Sequence, residues 1–151
     1  MTYVVIHIGE ASSMLDLSVN YIAIILAAVA SMVVGFLWYS PLLFAKPWMK
    51  LSKLDAKKMK AAQKGMGKTY GLSFVAALIT AFVLSQLSSY MLLTTLAEGA
   101  TLGVWAWLGF VATTMFTGVL FQEMPWGLFL INSGYQLVSI VAMSIIVTII
   151  I

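Results

Sequence analysis

Cysteine and arginine are both missing from this 151-residue chain, and histidine occurs once, at His7. Without cysteine there are no disulfides, thiolate nucleophiles or iron–sulfur ligands. Without arginine the chain lacks the side chain that grips base edges and phosphates through two parallel hydrogen bonds. Its net charge of +3 therefore does not point to nucleic acid, and no such partner is expected. A single histidine excludes a multi-histidine metal site. Carboxylates are scarce too: Glu10, Asp16, Asp55, Glu98 and Glu123 are scattered along the chain and match no metal-binding spacing. The sequence accordingly offers no catalytic residues, no metal ligands and no cofactor site.

What the chain has instead is apolar surface. Hydrophobic residues make up 62% of it and charged residues 9%, against about half and about a quarter in a soluble domain. A chain this short cannot hide such an excess in a core, so lipid must solvate much of the exterior. Four apolar stretches run roughly over 19–39, 70–93, 102–121 and 126–151, none with a charge in its interior. Each meets the ~20 residues that cross a hydrocarbon core of about 30 Å. No stretch alternates like a barrel strand. Aromatic residues stand where membrane interfaces would lie: Tyr21, Trp38 and Tyr39 around the first stretch, Tyr70 and Tyr90 around the second, Trp105 and Trp107 early in the third, Phe121 and Trp126 at the turn into the fourth. The expected fold is an all-α integral membrane protein, a four-transmembrane-helix bundle over 19–151, preceded by a segment 1–18.

All eight basic residues are lysines between Lys46 and Lys68, within the loop 40–69. Lysine-rich loops stay on the cytoplasmic side. The sequence thus predicts a multi-pass protein of the cell membrane with this loop and the turn 122–125 inside. Both termini, the segment 1–18 included, are then extracytoplasmic. That segment has no basic start and carries Glu10 and Asp16, unlike a signal peptide. Lysines at 46, 50, 53, 57, 60, 64 and 68 follow one helical face. Ser52 with Asp55 resembles a capping box, and Gly65 and Gly67 offer a stop, so a cytoplasmic helix is expected over 53–64. Lys50, Lys53, Lys57, Lys60 and Lys64 could contact anionic lipid head groups, each contributing roughly 1 kcal/mol. The plainer alternative is a solvated helix whose charge only fixes orientation.

Helices in lipid associate through close packing of small residues. Ala23, Ala27, Ser31 and Gly35 make such a stripe on the first span, Ala77, Ala81 and Ser85 on the second, and Gly109, Thr113 and Thr117 on the third. Most are expected to pack internally, a second subunit being the alternative partner. The fourth span is the most polar, with Asn132 and Gln136 one turn apart. Amides in hydrocarbon are costly unless they face protein or water. Counting outward from the turn sets Thr117 beside Asn132 and Thr113 beside Gln136, with Ser31 at the depth of Gln136. This polar seam is either interhelical glue, at ~0.6 kcal/mol per hydrogen bond, or the lining of a solute path. Glu123, just before Pro125, suits the first turn of the fourth helix and a pairing with a loop lysine.

At these residues the chain resembles a known family. Asn20-x-x-Ala23, the run Gly35–Phe–Leu–Trp38–Tyr39–Ser40–Pro41 followed by Lys46–Pro47–Trp48–Met49, and Leu120–Phe–Gln–Glu123–Met–Pro125 leading to Leu130–Ile–Asn132–Ser–Gly134–Tyr135 are similar to the small membrane proteins catalogued as domain of unknown function 1761. Many members would have a basic residue before the proline where this chain has Met124, so a Glu123 pairing with that neighbour is not available. The resemblance implies a four-helix membrane domain and a role for Asn20, Trp38, Tyr39, Glu123, Pro125, Asn132 and Tyr135. It implies no activity. The expected function is that of a structural or interaction component, forming a homo-oligomer or part of a larger membrane assembly. The alternative is a channel or carrier for a small neutral solute or lipid, lined by the Asn132/Gln136 face. An enzyme is least favoured, because no acid–base pair or metal set is in place.

Overall fold

The computed structural model describes residues 19–53 and 65–150. Its elements are α1 (Tyr21–Trp38), α2 (Ala45–Leu51), α3 (Met66–Tyr90), α4 (Leu96–Ala106), a π-helical segment (Trp107–Ala112), α5 (Thr113–Phe121) and α6 (Trp126–Ile149). The described residues contain no strand. α1, α3, the continuous run Leu96–Phe121 and α6 are each long and apolar enough to cross a membrane, as a multi-pass membrane protein requires. Phe36, Leu42, Phe110 and Phe121 are each more than three-quarters exposed, which only a lipid environment makes cheap. Lys46, Lys50, Lys53 and Lys68 lie at one end of the helices, called here the lysine end.

The helix boundaries follow local chemistry. The Asn20 side chain accepts hydrogen bonds from the N–H groups of Ile22 and Ala23 at 3.1 and 3.2 Å, satisfying donors that the first turn of α1 leaves free. Thr95 and Glu98 form a reciprocal capping box that starts α4. The third span therefore begins at Leu96, and Glu98 belongs to its first turn instead of to a preceding loop. α3 begins at Met66 and runs through Gly67, so that glycine stops nothing. α2 tolerates Pro47 because it lies in the first turn, where a missing N–H breaks no helical bond.

α6 is the hub, packing against α1, α3 and α4. Ile24, Ala27, Ala81, Leu84, Leu102, Ile140, Met143 and Val147 form the core. Small residues on α1 and α3 are used inside the bundle as expected: Ala23, Ala27, Ser31, Ala77, Ala81 and Ser85 are buried. The tightest approach is between α4 and α6. A Cβ built on Gly103 would sit 2.7 Å from the Val141 Cα, and one on Gly99 would sit 3.1 Å from the Ile145 Cα. Gly99-x-x-x-Gly103 thus lets two backbones touch.

The third span then divides. Beyond its π-helical segment Thr113, Thr114, Thr117, Leu120 and Phe121 are exposed, while Phe116 packs on Trp126 and Phe129. Of its most apolar eighteen residues, 6% are buried, against 28–39% in the other three spans. Gly109 has open space beside it, with nothing within 4 Å of a built Cβ. Ser52 closes α2 at its C-terminal end, and the cap expected of it with Asp55 lies outside the described residues. Glu123 lies outside α6, whose first turn holds no acidic residue. It adopts a left-handed backbone, φ 53°, in the turn that ends α5. The expected lysine helix over 53–64 lies outside the described residues but for Lys53, which has φ 51°.

Candidate functional site at the lysine end

Three consecutive residues of α6 receive hydrogen bonds from two other spans. The Trp38 indole N–H donates to the Ile131 carbonyl at 3.0 Å. The Tyr39 hydroxyl donates to the Asn132 side-chain oxygen at 2.9 Å. The Trp107 indole N–H donates to the Ser133 carbonyl at 2.9 Å. A backbone carbonyl has two lone pairs, so Ile131 and Ser133 can each take an indole without giving up a helical bond. In hydrocarbon these three donors would otherwise stay unsatisfied, and together they fix the height of α1 and of the third span against α6.

Aromatic packing extends the cluster. Tyr39 meets Tyr135 and Trp48 at ring-centroid distances of 5.3 and 5.5 Å, and Trp38 meets Phe44 at 4.7 Å. Glycines make the fit possible. A Cβ on Gly35 would stand 3.2 Å from the Tyr135 hydroxyl, one on Gly134 would stand 3.1 Å from the Trp38 ring, and one on Gly127 would stand 2.8 Å from Leu51 of α2. Of the residues singled out by resemblance, Trp38, Tyr39, Asn132 and Tyr135 therefore come together. Pro125 instead caps the start of α6, seven residues before Asn132 and about 10 Å along the axis. Glu123 is exposed and makes no ion pair among the described residues. Asn20 works at the far end, where its amide N–H donates to the Ile150 carbonyl at 2.7 Å.

The expected seam between the third and fourth spans does not take the form of threonine–amide pairs. Thr113 donates to Gly109 O at 2.8 Å and Thr117 to Thr114 O at 2.7 Å, each within its own helix, and both residues are exposed. A threonine hydroxyl can always reach back to its own helix's carbonyls, so its polarity does not oblige it to find a partner. Asn132 is taken by Tyr39 from α1, and Gln136 is half-buried without either threonine. Ser31 is buried on α1. Ser88 and Thr148 also meet across helices, with hydroxyls 2.8 Å apart. Ser85, Ser133, Ser139 and Ser144 are buried with hydroxyls that find no partner among the described residues.

Sequence reasoning missed Gly99-x-x-x-Gly103, Trp107 and the Ser88–Thr148 pair. The glycine spacing was the available signal for the first, and the helical-face match of small hydroxyl residues for the last. Lys50 lies exposed in the last turn of α2 and Lys53 just beyond it. Lys57, Lys60 and Lys64 lie outside the described residues. No group of three metal-ligating side chains occurs among the described residues.

A family model described as "Protein of unknown function (DUF1761)" matches residues 22–148, most of the chain and all four spans. The chain belongs to the DUF1761 family. No curated protein and no solved structure matched it. The family match begins just after Asn20 and ends at Thr148, so it takes in the whole Trp38–Tyr39–Asn132–Tyr135 cluster. Within this DUF1761 chain the Trp38 indole and the Tyr39 hydroxyl are both satisfied by α6.

Proposed function

We propose that this DUF1761 protein is a membrane-embedded interaction component that self-associates through the third span, with its lysine end facing the cytoplasm. One observation carries the reading. The small-residue stripes of α1 and α3 are consumed inside the bundle, whereas Gly109, Thr113 and Thr117 remain on the outside with open space at Gly109. Such a stripe favours close approach of a second helix. The threonine hydroxyls are satisfied within their own helix, so a monomer is tolerated in lipid and the association is reversible. Orientation is supported by the confinement of all eight lysines to 46–68 and by the positive-inside bias of such loops. A solute path along Asn132 and Gln136 is less favoured, because Tyr39 occupies the Asn132 oxygen.

Single-molecule subunit counting in liposomes, over a range of protein-to-lipid ratios, tests the proposal. The dimer fraction should rise with density. Gly109→Leu with Thr113→Leu should move the midpoint by roughly tenfold, equivalent to about 1.4 kcal/mol. Monomers at every density, or a midpoint untouched by the double variant, would refute it. Protease accessibility of the lysine loop in sealed right-side-out vesicles checks the orientation: cleavage from outside would contradict it.

A further inference from the structure

We infer that the lysine end carries a site for one anionic glycerophospholipid, held within each protomer between α1, the start of α3 and α6. A cavity of about 410 Å³ opens there. Met32 and Phe36 supply its apolar wall, and Ser40, Tyr70, Ser73 and Tyr135 bring hydroxyl groups to it. Phe36 is 76% exposed and Tyr70 52% exposed, so the cavity opens sideways into the surrounding lipid. Two neighbouring phenols differ in what is left to them. The Tyr39 hydroxyl is engaged by Asn132, whereas that of Tyr135 takes no hydrogen bond among the described residues and lies at the cavity beside Gly35.

The chemistry selects the occupant. An acyl chain fits the Met32–Phe36 side, and hydroxyl donors suit the ester carbonyls and phosphate oxygens at the glycerol level. No residue of the lining carries a charge, so the cavity alone would not distinguish head groups. The charge lies outside the lining: Lys46, Lys50, Lys53 and Lys68 are exposed at the same end of the helices and make no ion pair among the described residues. Clustered lysines at a membrane surface attract anionic lipid, which makes the favoured ligand anionic. The site needs no second copy of the chain and is independent of the self-association proposed above.

Native mass spectrometry of the full chain in detergent micelles tests this, with dioleoyl phosphatidylglycerol titrated against dioleoyl phosphatidylcholine. One phosphatidylglycerol per protomer is expected, retained about fivefold better than phosphatidylcholine, the effect of a single lysine near the surface. Ser73→Trp, which fills the cavity, should remove the adduct while the helical melting profile is kept. Tyr135→Phe deletes one hydroxyl and should weaken retention about threefold, which keeps the test decisive if the tryptophan variant does not fold. Replacing Lys46, Lys50, Lys53 and Lys68 with glutamine should keep the adduct and erase the head-group preference. Equal retention of the two lipids by the unmodified chain overturns the inference, as does an undiminished phosphatidylglycerol adduct in the folded cavity variants. Gly109→Leu with Thr113→Leu should keep the lipid, so failure of self-association and failure of lipid binding can be told apart.

Discussion

Gly103→Ala adds one methyl group where the third span meets α6. The new Cβ would lie 2.7 Å from the Val141 Cα and 3.2 Å from the Val141 N. Carbon–carbon contacts settle near 3.5–4.0 Å, so α4 must lift by about 1 Å. The obstacle is backbone, which has no rotamer to turn aside. Overpacking of this kind costs about 1–3 kcal/mol. Against it stands the better helix propensity of alanine, at most about 1 kcal/mol. The clash wins, and a net loss of about 1–2 kcal/mol is expected. The same lift would stretch the Trp107–Ser133 bond, now 2.9 Å, one turn further along. Two substitutions serve as internal controls, because Gly71 and Gly109 have nothing within 4 Å of a built Cβ. Gly71→Ala and Gly109→Ala should be neutral or stabilising. Reversible unfolding in mixed micelles, followed by circular dichroism, gives the three differences on one scale. If Gly103→Ala is as stable as Gly109→Ala, the close approach of α4 to α6 is wrong.

Two further perturbations address the lysine end. Tyr39→Phe removes the donor to Asn132 and should lower stability by ~0.6–1.7 kcal/mol. Asn132→Leu should cost much less in the Tyr39→Phe background than alone, and a double-mutant cycle with no coupling would dissolve the pair. Glu123→Gly relieves a left-handed non-glycine residue at φ 53° and should raise the unfolding free energy by about 1 kcal/mol. A destabilised variant would mean that the carboxylate makes a contact worth more than the strain.

The spans themselves were legible in the sequence because lipid imposes one requirement on them all: an apolar helix of sufficient length. The fourth, expected over 126–151, is α6 from Trp126 to Ile149. Helix starts were harder. Hydropathy cannot register Met66–Thr69, which include Gly67, Lys68 and Thr69 and extend α3 toward the lysine end, and it sets the start of the third span at 102, past the capping box of Thr95 and Glu98 that begins α4. The grouping of Trp38, Tyr39, Asn132 and Tyr135 came from resemblance, since no spacing within one helix encodes which neighbour approaches it. The threonine seam failed for a related reason. Level counting gives depth along a helix axis and not rotation about it, and a threonine in a helix has a partner one turn back wherever it points.

The third span shows how these local facts become a functional asymmetry. Gly99 and Gly103 hold its first half against α6, and Trp107 ties it to the Ser133 carbonyl. The π-helical turn follows at once, and Thr113 and Thr114 donate to Gly109 and Phe110 carbonyls inside that segment. The hydroxyl demands of Thr113, Thr114 and Thr117 are therefore met within their own helix, and the exposed face of the second half carries no unsatisfied polar group on these threonines. A surface with an unmet hydrogen bond would force an obligate partner, because isolation in hydrocarbon would cost several kcal/mol. A surface that is only small and smooth gains packing alone, about what a few van der Waals contacts provide. The proposed self-association should then respond to the density of the protein in the membrane, and under that proposal a partner with a closer-fitting helix would compete for Gly109, Thr113 and Thr117.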